Sequence, residues 1–164
     1  MSISSTTSDQ SSDTLEISAS HHERKLALGF AMLGLAVFVI ATVLNPYDET
    51  GRARSHGTHR QLGLPPCTLK TLTGISCPSC GMTTTISLIM HGNPQAAWQT
   101  NWAGCIVAFI GILGTIWFLL VATGVPPGRF TANEVVKAMT ITGMAVATIR
   151  WFAELAYGVL IATF

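Results

Sequence analysis

A chain of 164 residues has room for one domain. Apolar residues make up 49% of it and charged residues only 10%, against roughly a quarter charged in an ordinary soluble domain. A formal net charge of +1 excludes the basic footprint of a nucleic-acid binder, and the long apolar blocks argue for a bilayer rather than a globular core as their solvent.

In chain order, residues 1–20 are rich in Ser and Thr and carry Asp9, Asp13 and Glu16 with almost nothing to bury. Such a segment does not offset its ordering entropy, so a disordered tail is expected, followed by a single membrane domain over 21–164. His21-His22-Glu23-Arg24-Lys25 leads into an uncharged run over 26–44. At 1.5 Å per residue that run reaches roughly 28 Å, close to the hydrocarbon thickness of a bilayer. Asn45-Pro46 ends it. The charged stretch from Tyr47 to Pro66 reads as an aqueous loop, in which His56 and His59 are either solvated side chains or metal ligands.

Three cysteines then fall within fourteen residues: Cys67, Cys77 and Cys80, the last two inside Cys77-Pro78-Ser79-Cys80-Gly81. Pro78 predicts a helix start inside the motif with Cys77 near its N-cap, where the orphan N–H groups and the helix dipole favour thiolate. Met82, Ile86, Ile89 and Met90 recur at helical spacing, predicting a short amphipathic helix over 82–90 that lies at the membrane surface or packs on the spans. The cysteine loop and this helix together cover 65–92. Asn93 is a good N-cap and Pro94 suits the first helical position. Trp98 and Trp102 share one face, at the headgroup level, and 103–125 forms a second span closed by Pro126-Pro127-Gly128. Thr131 and Glu134 have the spacing of a capping box, opening a third span over about 135–160. Arg150 and Glu154 fall within that span, where they pair across one turn. Such a pair is either a functional site or a wetted span end.

The fold expected is therefore all-α: an integral membrane protein of three transmembrane helices plus one short interfacial helix with the CPxCG motif. Its cysteines admit three readings. Cys67, Cys77 and Cys80 supply three of the four ligands of a structural zinc site, with His91 or Cys105 as candidate fourth. Cys77 and Cys80 alone have the C-x-x-C spacing of a thiol–disulfide oxidoreductase, although no βαβ pattern accompanies it. In the third reading the cysteines pack, or two form a disulfide that clamps the loop. Cys105 by itself reads as a small apolar residue in a packed span.

The run Cys67 … Thr73-Gly74-Ile75-Ser76-Cys77-Pro78-Ser79-Cys80-Gly81-Met82-Thr83 … His91-Gly92-Asn93 … Asn101 resembles a family of small bacterial membrane proteins catalogued as a domain of unknown function. That resemblance implies a multi-pass protein of the bacterial inner membrane, with the cysteine motif beside the bilayer. By position in the motif it singles out Cys67, Cys77, Cys80, Gly81, Thr83 and Asn101. Thr84 stands where many members carry arginine, which removes the cation that position would bring beside the cysteines. Trp102 stands where many carry proline. The functional expectation is a non-enzymatic scaffold or accessory subunit with a cysteine-centred metal or disulfide site. Its partners would be the lipid bilayer and a membrane protein or second copy, with no nucleic acid. The alternative is a membrane oxidoreductase using Cys77 and Cys80. Positive charges flank the first span almost equally on both sides. A cytoplasmic N-terminus avoids translocating the tail and places the cysteine loop on the oxidising side.

Overall fold

The computed structural model describes the backbone of residues 6–124 and 130–162, and the side chains of 21–124 and 130–157. Five α-helices follow in order: α1 (Thr6–Val43), α2 (Thr68–Thr73), α3 (Met82–Met90), α4 (Pro94–Ala122) and α5 (Ala132–Ala162), with a 3-10 turn at Thr58–Leu62 before α2. Three of them are long and apolar enough to cross a membrane: His21–Val43, Pro94–Ala122 and Ala132–Tyr157. Large apolar side chains such as Leu33, Phe109, Ile141 and Phe152 point outward from all three, as lipid-facing surfaces do and soluble ones rarely do.

The first helix begins at Thr6 and not at the apolar run. Its backbone thus continues through the segment whose composition predicts disorder. Extending an existing helix adds one hydrogen bond per residue fixed, whereas the costly step is nucleation, which the span already supplies. Residues 1–5 lie outside the described residues, as does the Pro126-Pro127-Gly128 stop.

Helix α4 is the hub, with α1, α3 and α5 packed against it. At one end of the bundle Ala27, Ala31, Phe118, Val121 and Ala132 form a buried cluster. There Glu23 accepts a 2.8 Å hydrogen bond from the Ala132 N–H, placing a carboxylate at the positive end of α5. Thr131 and Glu134 close the capping box reciprocally, at 3.1 and 3.3 Å. At the opposite end Trp151 Nε1 donates to the Ser76 carbonyl (2.8 Å), so α5 returns to the side of the bundle that carries the cysteine loop.

Helix α3 occupies the residues its spacing predicts but turns its polar side inward. Thr84, Thr85, Ser87 and Leu88 are buried, while Met82, Ile86, Ile89 and Met90 are half-buried. Thr58 Oγ1 donates to Thr84 Oγ1 (2.9 Å), and Ser87 Oγ donates to the Leu44 carbonyl (2.8 Å). In lipid an apolar face has no need of protein cover, whereas hydroxyls must find partners. Gly104 of α4 lets the two helices close: a Cβ there would sit 3.2 Å from Thr85 Cβ.

The stretch between α1 and α2 is an ordered cap rather than an open loop. Asp48 Oδ1 accepts from the Thr50 and Arg52 N–H groups (both 2.9 Å). Gln61 bonds both backbone groups of Asn45, at 3.0 and 2.6 Å. These side chain–backbone bonds satisfy polar groups that the chain leaves open beyond the end of α1.

Candidate functional site

Two chain reversals assemble the site. Helix α2 ends at Gly74, whose φ of 74° carries the chain back through Ile75 and Ser76 toward its own start. Cys77 to Cys80 then form a tight turn, with the Cys80 N–H donating to the Cys77 carbonyl (3.0 Å) and Pro78 at the position where its fixed φ suits a turn. Gly81, at φ 82°, is the N-cap of α3. The helix therefore begins at Met82 and not inside the motif. Cys77 is not its cap, because Pro78 serves the turn instead.

The outcome is that Cys67, Cys77 and Cys80 converge, with all three sulfurs within 4.8 Å of one another. Each is half-buried and free of a disulfide. The helix-start environment expected for Cys77 belongs to Cys67, the N-cap of α2. The Lys70 backbone N–H, then the Cys77 thiol, holds the Cys67 thiol below its ordinary pKa. Burial, then the neighbouring Cys77 and Cys67 sulfurs, pushes Cys80 up. In reduced protein stripped of metal, Cys67 should therefore react with iodoacetamide at lower pH than Cys80, since only thiolate attacks. Peptide mass spectrometry across a pH series reads the order, and Cys80 reacting first would contradict it.

Neither candidate fourth ligand joins the cluster among the described residues. Cys105 lies within α4. His91 Nδ1 is 2.8 Å from the Ser87 carbonyl, and its ring meets Tyr47 edge to face. His56 and His59 line a cavity of about 500 Å³ that opens beside Cys67 and Cys80. Lys70 Nζ lies 3.0 Å from His56 Nε2. Loss of hydration, then the Lys70 ammonium and His59, keeps His56 below the ordinary histidine pKa.

Asn101 braces the motif from below. It is buried, and α4 departs from helical geometry there (φ −161°, ψ 94°). Its Oδ1 accepts from the Gly104 N–H (2.8 Å), capping the helix that restarts beyond it, while Nδ2 donates to the Cys80 carbonyl (3.1 Å). One side chain thus couples the opening of the span to the cysteine turn. Thr83 lies in the first turn of α3.

Arg150 and Glu154 are paired, as the spacing predicts. Arg150 is eighteen residues beyond Ala132, about 27 Å along the helix, which places it at the loop end of the span. There it lines a small cavity with Cys80, Lys70, His56 and Ser76. A cation is thus brought to the neighbourhood of Cys80 from α5. Arg150 is singled out by the sequence only with Glu154 and not beside the cysteines, while Lys70 and Trp151 escape it altogether. Of these two only Lys70 leaves a signal, one helical turn after Cys67.

These features define a multi-pass helical protein with a three-thiol cluster at one end of its bundle. Residues 67–115 match the family model described as Protein of unknown function (DUF2752). The match covers less than a third of the chain, and it contains all three clustered cysteines and Asn101. No curated protein and no solved structure matches the chain.

Proposed function

We propose that this chain is a multi-pass protein of the bacterial inner membrane whose Cys67, Cys77 and Cys80 bind one zinc ion at the bilayer edge, fixing the loop of a non-enzymatic scaffold or accessory subunit. The convergence of three sulfurs from two separate turns carries this reading. Three thiolates around zinc, each at about 2.3 Å, lie about 3.8 Å apart, so the observed spread needs only a small contraction. Soft thiolates select zinc over the hard cations that oxygen ligands favour. The protein supplies three ligands, leaving the fourth position to water or a partner's side chain. Purified protein should hold zinc one-to-one, and Cys77→Ser should release it, as read by elemental analysis. Wild-type protein that takes up no zinc after reduction would end the proposal.

A thiol–disulfide oxidoreductase is the second reading, favoured by the low pKa of Cys67 beside two further thiols and an open cavity. It expects a mixed disulfide with a partner protein to accumulate in Cys80→Ser, and the zinc reading expects none.

A further inference from the structure

Beside the thiols the protein collects positive charge, which Glu154 answers only at one nitrogen of Arg150. Arg54, Arg60 and Lys70 line the larger cavity, and Lys70 and Arg150 line the smaller one of about 160 Å³. The two share His56, Lys70 and Cys80 as walls, and among the described residues no carboxylate lines either. Arg150 is only 6% exposed, and its Nη1 is buried without a hydrogen-bond partner. Its other terminal nitrogen is taken by Glu154. A buried guanidinium N–H without an acceptor is costly, and an anion is the partner that offsets it best. The sulfurs are not that partner: Arg150 Nη1 has none of them within hydrogen-bond distance.

We infer that these adjoining cavities bind a phosphate group, with Arg150 and Lys70 at its inner end and Arg54 and Arg60 at its mouth. Several cations from separate chain segments surround one volume, which suits an oxyanion with acceptors on several sides better than a planar carboxylate held by one arginine. Ser55, Ser76 and Thr100 add polar lining to the inner cavity. Thr100 lies between Trp98 and Trp102, residues of the kind that mark the headgroup plane. Phosphate at that level comes either from a phospholipid headgroup or from a soluble phosphate compound. The site adjoins the proposed zinc ion, since Cys67 and Cys80 are among its walls, but its own cations come from Arg54, Arg60, Lys70 and Arg150.

The test uses the full chain in a phosphate-free maltoside detergent. One arm titrates inorganic phosphate by calorimetry. The other adds phosphatidylglycerol and reads retained lipid by native mass spectrometry. One-to-one binding is expected in at least one arm, weakened roughly tenfold by Lys70→Gln and by Arg150→Gln, the scale of one charge-assisted hydrogen bond. Binding of phosphate assigns a soluble ligand, and retention of lipid alone assigns a headgroup. Cys77→Ser should leave binding in place while abolishing zinc uptake, so the two proposals fail separately. Absence of saturable binding in both arms overturns the inference. So does binding that ignores Lys70→Gln, a partly exposed position that tolerates change, or binding that vanishes with Cys77→Ser.

Discussion

Asn101→Ala should lower stability by about 2–4 kcal/mol and weaken zinc binding by roughly 10- to 100-fold. The substitution orphans two backbone groups at once, the Gly104 N–H and the Cys80 carbonyl. An unsatisfied buried donor or acceptor costs about 1–3 kcal/mol. The effect on metal follows because Cys80 loses the brace that sets its turn, and residues supporting a ligand from behind commonly matter at this scale. Asn101→Asp separates the two roles. Aspartate still accepts from Gly104 and caps the restarted helix, but it does not donate to Cys80. Thermal melting should then recover much of the loss while zinc affinity stays low. Equal recovery of both would show that Asn101 acts on the helix alone.

Gly81→Ala is the second large effect, expected to cost about 1–3 kcal/mol and to displace the cysteine turn. Two causes add. The residue sits at φ 82°, in the left-handed region that side chains disfavour. A Cβ built there meets the Ser55 carbonyl oxygen at 3.0 Å and Thr100 Cγ2 at 3.3 Å. The first contact is backbone and yields only if the whole cap over the helices shifts. Because Gly81 follows Cys80 directly, relief of that contact moves a proposed zinc ligand. Melting temperature and zinc stoichiometry of the variant should fall together. Gly92→Ala is the control: φ is 72° there too, but a Cβ meets nothing within 4 Å, so it should lose stability without losing zinc.

The parts of this protein that follow from local rules are readable before any coordinates. Asn93 accepts from the Ala96 N–H (3.1 Å) as an N-cap should, and α3 occupies the residues that its spacing and the His91-Gly92 stop define. Reading by local rule misled where a distant contact intervened or where one residue suited two local roles. The inward face of α3 is polar because Thr58 and Leu44 wait there with hydrogen-bonding groups, and the apolar stripe could be left to lipid. Pro78 looked like a helix start because proline suits that position, but it suits the turn that holds Cys77 and Cys80 equally well.

By itself the amino-acid order determined the three hydrophobic lengths and the caps at Asn93 and Thr131, because each depends on neighbours within a turn or two and on how much apolar chain a bilayer accommodates. It also brought Cys77 and Cys80 together, since one tight turn suffices. Only the packed bundle decided that Arg150, some seventy residues after Cys80, stands beside the same thiols. That position follows from α5 packing on α4 and from Trp151 bonding Ser76, contacts between segments whose separation along the chain no periodicity records.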